Sequence, residues 1–286
     1  MIKKMLSADN GQILGINKRN IRLVYPSENR QFFKMADEKS LAKQLFQSSG
    51  VPHPETVLEF KEYKDIYNLK ANMDQLENTV IKPNKGRGGY GIMVLGKKGE
   101  NGVYDIDGSF LSYKKIRKHI SDILMGVYST GSSDMAIVEK RLFPHTFLKD
   151  IYNRGLADFR FIYFEKQPVM AMLRIPTSRS HGKANLHQGG IGVGIDLETG
   201  KTISAIYRGK YIEKHPDTNI PLAKKPVPYL KEMLAYCSDV CKIVPLKYIG
   251  FDFTLDQKNG PMLLEINARP GLEIQKANKK GLLEVL

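Results

Sequence analysis

The sequence predicts an α+β fold built on antiparallel sheets. Apolar runs of strand length and amphipathic stretches of helix length are both abundant and are interspersed along the chain. Consecutive strand-length runs are joined by short polar or glycine-rich turns, the pattern of hairpins, which argues against a doubly wound parallel sheet. The length of 286 residues is ample for a buried core and for about two domains.

Residues 37–49 read as a helix, with Asp37 as N-cap, an apolar stripe of Leu41, Leu45 and Phe46, and Gly50 to close it. Residues 51–54, Val-Pro-His-Pro, are extended. Strands at 79–82 and 91–95 flank a glycine-rich loop. Residues 113–126 form an amphipathic packing helix carrying Tyr113, Ile116, Ile120, Ile123 and Leu124. Strands follow near 136–142, 159–164, 169–175, 191–195 and 203–207. Pro216, Pro221, Pro226 and Pro228 mark a loop crossing the surface. A helix at 229–243 precedes strands at 249–255 and 261–267, which flank a polar turn at 256–260.

Composition excludes several classes. No apolar run approaches the about 20 residues of a membrane span. The N-terminus lacks an apolar stretch of signal-peptide length, so the expected compartment is the cytoplasm. Cys237 and Cys241 cannot form a disulfide framework; they read as small apolar residues of a helix, since zinc would need two further ligands. The absence of tryptophan disfavours an aromatic carbohydrate platform. Lysine and arginine number 44 against 30 aspartates and glutamates, a net charge of +14. That excess calls for an anionic partner: nucleic acid, a membrane surface, a phosphate-bearing cofactor or an acidic substrate. It is uneven. Residues 1–35 hold seven basic residues against Asp9 and Glu28, residues 171–195 hold no acid, and residues 205–231 hold six basic residues against two acids.

Three constellations could carry chemistry. In residues 80–95, an apolar strand delivers Lys82, and a loop with Gly86, Gly88, Gly89 and Gly91 follows. Glycines let backbone N–H groups approach phosphate oxygens, and Lys85 and Arg87 add charge. The lysine precedes the loop and a strand follows it, which excludes a Walker A motif and a dinucleotide fingerprint. A solvated hairpin is the alternative. In residues 250–271, strand periodicity puts Asp252, Thr254 and Asp256 on one face, and Glu265, Asn267 and Arg269 on one face of the next strand. Asp252 with Glu265-x-Asn267 is an oxygen-rich set that suits Mg²⁺. A Glu265–Arg269 salt bridge is the alternative. In residues 171–195, Arg174 and Asn185 lie in an acid-free stretch with Arg179, His181, Lys183 and His187, suited to a transferring phosphoryl group or to nothing more than a solvated basic loop.

The order Lys82 with its glycine loop, Val138-Glu139-Lys140, Asp158-x-Arg160, Asn185, Asp252 and Glu265-x-Asn267 resembles the ATP-grasp superfamily, over about residues 14–286. The stretches 185–201 and 263–278 are similar to RimK-like α-L-glutamate ligases. The resemblance implies an ATP-grasp fold, with two α+β subdomains whose antiparallel sheets sandwich ATP. It divides the chain into a basic N-terminal arm (1–36), a small subdomain with the lid loop (37–138) and a C-terminal subdomain with the Mg²⁺ site (139–286). The Rossmann-like domain that usually precedes the first lysine is reduced or missing.

The same resemblance implies roles. Lys39 and Lys82 bind the nucleotide, Lys39 having no structural motive at a helix start where a cation opposes the dipole. Gly86, Arg87, Gly88 and Gly89 belong to a mobile lid, and Glu139, Lys140, Arg141 and Leu142 form the hinge that reads adenine, mostly through backbone groups. Asp158 contacts ATP. Arg174 is catalytic, and Asn185 lies near the transferred phosphate. Asp252, Glu265 and Asn267 hold two Mg²⁺ ions bridged by Glu265, with Mn²⁺ an alternative.

The implied reaction is carboxylate activation through an acylphosphate, then attack by an amine. The carboxylate and amine would be those of an amino acid, peptide or protein, with an acidic acceptor. A kinase of a polyanionic small molecule is the alternative, and a non-catalytic binder of an acidic partner ranks below it. Nucleic acid and membrane are disfavoured, and a homo-oligomer is compatible with the sequence.

Overall fold

The computed structural model describes residues 13–25, 30–100 and 102–286. They form two compact units. The smaller holds Glu38–Ser40 and Pro54–Phe143; the larger holds the described residues up to Asp37, Leu41–His53 and Pro144–Leu286. Residues 41–53 therefore group with the C-terminal half, and 139–143 with the smaller unit.

The smaller unit is a six-stranded antiparallel sheet. Its strands are β1 (Thr56–Phe60), β2 (Thr79–Pro83), β3 (Met93–Gly99), β4 (Gly102–Asp105), β5 (Phe110–Ser112) and β6 (Ala136–Lys140), in the order β1-β6-β2-β3-β4-β5. Strand β6 stops at Lys140, short of the expected 142, because the Arg141 N–H meets the carbonyl of left-handed Asn78, where the β2 ladder ends. The helix of this unit, Tyr113–Leu124, starts where Ser112 accepts a hydrogen bond from the Lys115 N–H. It buries Ile116, Ile120, Ile123 and Leu124 against Phe60, Ile81, Leu95 and Val138. Each such side chain contributes about 1.5–3 kcal/mol on burial.

The larger unit is a seven-stranded antiparallel sheet. Its strands are β7 (Asp158–Phe164), β8 (Gln167–Ile175), β9 (Ile191–Asp196), β10 (Lys201–Tyr207), β11 (Lys210–Ile212), β12 (Tyr248–Asp256) and β13 (Gly260–Asn267). Their order is β11-β10-β9-β8-β7-β12-β13. Phe161 and Tyr163 of β7 meet Phe253 and Phe251 of β12 edge to face. The helix Leu230–Ile243 packs on that side: Tyr236 stacks over Phe253, and the Tyr163 hydroxyl donates to the Leu234 carbonyl. Cys237 and Cys241 are buried on this helix as small apolar residues, and burial pushes the Cys241 thiol up to about 12. Strand alternation sends Asp158, Arg160 and Asp252 to the opposite face.

Several expectations change. Lys3, Lys4, Asp9 and Glu28 lie outside the described residues. The described part of the basic N-terminal stretch is not an arm: Leu14, Leu23, Val24 and Phe33 join the core of the larger unit. Buried Arg19 donates to the Pro270 carbonyl at 2.8 Å, and the Gln275 side chain bonds both the N–H and the carbonyl of Leu14. Asp37 is not an N-cap. It ends a separate helical turn, Lys34–Asp37, and the longer helix begins at Lys39 and runs to Ser48. That helix closes as expected at Gly50 (φ +68°), with Val51 N–H bonded to the Phe46 carbonyl and Gly50 N–H to that of Gln47. The proline-rich stretch does cross the surface, with Pro216, Pro221 and Pro226 exposed, and it is also anchored: His215 is buried, stacks on Tyr152 and donates to the Pro176 carbonyl, and Leu222 is buried. The short strands β1, β4, β5 and β11 and the helix Glu273–Asn278 had no sequence expectation.

Candidate active site

In the smaller unit the chemistry gathers at the end of β2. Strand register places Val80 opposite Glu139, so Lys82, two residues on, reaches Glu139 diagonally on one face. Their side chains pair at 2.7 Å, and both residues are buried. A buried ion pair of this kind must hold its geometry, because either charge alone would be strongly unfavourable there. The chain then enters the glycine loop. Asn84, which sequence reasoning missed, is buried, and its side-chain oxygen accepts the Ser40 N–H at 2.8 Å. Lys39 Nζ donates to the Gly86 carbonyl at 2.6 Å and to that of Asn84 at 3.3 Å. Lys39 therefore does have a structural motive: its ammonium ties the helix start to the loop entrance.

Buried Asp134 holds the loop's first turn, accepting from the Lys85 and Met135 N–H groups and from the Ser129 hydroxyl. The Lys85 ammonium is engaged by the Ser133 carbonyl. Gly88 and Gly89 have left-handed φ, and the far end is pinned at Gly91. There φ is +72°, and a Cβ would sit 2.6 Å from the Tyr128 ring. His119 Nε2 donates to the Gly91 carbonyl at 3.0 Å, and burial holds that imidazole below the ordinary histidine pKa.

At the expected hinge, the Glu139 side chain is committed to Lys82. The N–H groups of Lys140 and Arg141 are taken by the carbonyls of Glu55 and Asn78, so neither is available to a base. The Arg141 guanidinium lies 4.9 Å from the Phe143 ring centroid, and burial lowers its pKa. Among the described residues the Leu142 N–H has no partner, which leaves it available as a backbone donor.

In the larger unit, one face of the central strands carries a row of charges. Asp158 of β7 faces Arg174 of β8, Arg160 of β7 faces Asp252 of β12, and Asp252 faces Glu265 of β13. The Arg160 guanidinium takes both Asp252 oxygens, with Nε to Oδ1 at 2.7 Å. Arg174 bridges the acids, pairing with Asp158 and donating to Asp252 Oδ2 at 2.9 Å. The Asn267 amide reaches Asp252 at 3.2 Å and Glu265 at 3.4 Å. A bulge between Asp252 and Phe253, where the β13 partner jumps from Glu265 to Leu263, turns Glu265 onto this face.

The electrostatics follow from burial and neighbours. Burial opposes ionisation of Asp252, but Arg160 and Arg174 outweigh it and hold that carboxyl well below the usual range. Asp158 is pushed up to about 7 by burial and by Asp252, against the pull of Arg174. Burial also opposes the Arg174 charge, and the two aspartates more than offset it, raising its pKa.

Arg160, part of the Asp158-x-Arg160 motif, had no role assigned from sequence, although its two-residue spacing from Asp158 signals a shared face. The Glu265–Arg269 salt bridge does not form: Arg269 lies beyond β13, pairs with Asp37 at 3.5 Å and covers the Phe33 ring. Thr254 and Asp256 also take structural work, Thr254 donating to the Ala157 carbonyl and Asp256 capping the 256–260 turn.

Asn185 caps a local turn, accepting the His187 N–H at 3.0 Å. Gly194 serves packing, since a Cβ there would meet the Ala277 carbonyl at 2.4 Å. Among the described residues no three of His, Cys, Asp and Glu surround one point. The oxygen set is two carboxylates and an amide, and this hard-donor chemistry fits Mg²⁺, which keeps waters and needs few protein ligands.

The profile of a family described as sugar-transfer associated ATP-grasp matches residues 18–286. No curated protein matches the sequence. Among solved structures, a biotin carboxylase–ATP complex from Campylobacter jejuni aligns with 98% of this chain and 51% of its own at 14% identity, with a TM-score of 0.56. A D-alanyl-alanine synthetase A from Vibrio cholerae aligns with 88% of this chain and 62% of its own at 12% identity, with a TM-score of 0.52. The chain thus spans about half to two thirds of the length of these structures, and the likeness shows the ATP-grasp fold.

Proposed function

The chain belongs to the sugar-transfer associated ATP-grasp family, and from that membership we propose that it is an ATP- and Mg²⁺-dependent ligase that joins a carboxylate to an amine. The observation that carries the reading is the row Arg174–Asp158 and Arg160–Asp252–Glu265 on one sheet face. It puts fixed guanidinium charge beside an oxygen set suited to a hard cation.

Glu265 and Asn267 would hold the metal with Asp252 behind them, Asp252 being already gripped by Arg160. Magnesium, when bound, shields the triphosphate charge. Lys82 offers its ammonium to the phosphates from a strand end that Glu139 keeps rigid. The glycine loop covers the phosphates and excludes water, and the Leu142 N–H is a donor for the base. Arg174 stabilises the transferred phosphoryl group and then the acyl phosphate.

In the reaction a carboxylate oxygen of the substrate attacks the γ-phosphorus and ADP leaves. The amine nitrogen then attacks the acyl carbon, and phosphate leaves with the formation of an amide. The motifs resembling glutamate ligases favour amino-acid or peptide substrates, with an acidic acceptor and a cytoplasmic setting. Screening amino acids and peptides for ADP release tests this reading. Free phosphate equal to ADP, together with a new amide, is expected. Phosphate retained on the substrate would replace the ligase with a kinase.

A further inference from the structure

Apart from the charged row, the larger unit has an open cavity of about 630 Å³ lined by Arg179, His181, Leu186, His187, Gly189 and Arg208, among others. Among the described residues no carboxylate contributes to its wall. Among the described residues, neither Arg179 nor Arg208 has an ion-pair or hydrogen-bond partner for its guanidinium. The nearby acids are committed elsewhere. Asp217 accepts from both the N–H and the hydroxyl of Ser178, and Glu273, in an adjoining pocket, pairs with Lys276 at 3.2 Å.

The cations stand on fixed turns. Arg179 lies in a turn closed by reciprocal bonds between buried Thr177 and Ser180, and Thr177 Oγ1 donates to the Gly189 carbonyl at 2.7 Å. The Arg179 stem lies along Gly189, where a Cβ would meet its Cγ at 3.1 Å. His187 sits in the turn capped by Asn185, and Arg208 in the tight connection between β10 and β11. Two guanidinium forks and two imidazoles exceed what one carboxylate needs and suit a group with several charged oxygens. The volume lies within the range of small-molecule sites.

We propose that this basin binds the phosphate or diphosphate group of a small molecule. That the molecule is a substrate rests on the function proposed above; that the basin binds it does not.

The test titrates the full chain with inorganic pyrophosphate, without ATP or Mg²⁺, using calorimetry and the histidine ring resonances. The expected result is saturable binding that shifts the His181 and His187 signals, assigned with His181→Gln and His187→Gln. Affinity should fall about tenfold or more in an Arg179→Gln, Arg208→Gln double variant, whose exposed positions leave the thermal unfolding unchanged. Binding should persist in a Lys82→Met, Glu139→Leu variant, which removes the buried pair together and so keeps the fold. Unmoved histidine signals in the wild-type protein would overturn the proposal. So would loss of binding in Lys82→Met, Glu139→Leu with none in Arg179→Gln, Arg208→Gln, which would place the anion at the nucleotide residues. Equal affinity for succinate would overturn the assignment to phosphate.

Discussion

Arg160 faces Asp252 directly across β7 and β12, and its guanidinium takes both oxygens of that carboxylate. Asp252 is 1% exposed, so its charge depends on this fork and on Arg174. Removing the fork takes the partner from Asp252 Oδ1 and leaves the buried carboxylate to Arg174 and the Asn267 amide, both at Oδ2. Arg160→Ala should lower stability by about 3–5 kcal/mol. Arg160→Lys should recover part of that and still lose the two-point grip. Urea unfolding of the three proteins measures both effects.

The buried Lys82–Glu139 pair separates folding from function. Lys82→Ala removes the cation that faces buried Glu139, and should destabilise by about 3–5 kcal/mol as well as abolish ATP binding. Replacing both, as Lys82→Met with Glu139→Leu, should restore most of the stability while nucleotide binding stays absent. Chemical unfolding alongside ATP calorimetry on the single and double variants checks this.

His119, which anchors the loop at Gly91, gives a pH signature. Its folded pKa lies below the ordinary value of about 6.5 because burial opposes the charged ring. The unfolded chain therefore binds the proton first as pH falls. The neutral ring's contribution to stability is complete above about pH 6.5 and is lost as pH drops through 6.5 toward the folded pKa. Thermal unfolding from pH 8 to 5 should show the wild type losing stability relative to His119→Gln over that window. A constant difference would mean that His119 does not titrate between the two states.

Much of this was legible in the sequence because it rests on strand periodicity and turn chemistry. The hairpins, the glycine loop after Lys82 and the shared face of Glu265 and Asn267 follow from a two-residue repeat and polar turns. What was not legible depends on partners distant in sequence. The pairing of Lys82 with Glu139, the hold of Asn84 on Ser40 and the tether of Lys39 to Gly86 are set by strand register and by a helix start meeting a loop. The bulge that turns Glu265 toward Asp252 has no local signal. The N-terminal stretch looked like a free arm because its charge conceals Leu14, Leu23 and Val24, which are buried. Strands of three to five residues, such as β5 and β11, are too short to show a pattern.

The central claim is that Glu265, with Asp252 and Asn267, supports a metal-dependent nucleotide site, and thermal unfolding with ATP tests it most directly. At ATP about a hundredfold above Kd, with Mg²⁺, the melting temperature of the wild type should rise by about 5 °C. Without Mg²⁺ the rise should be much smaller. Half-buried Glu265 makes no salt bridge among the described residues, so Glu265→Gln should melt like the wild type without ligand and lose the Mg²⁺-dependent rise. No rise in the wild type, or an equal rise in Glu265→Gln, would contradict the account.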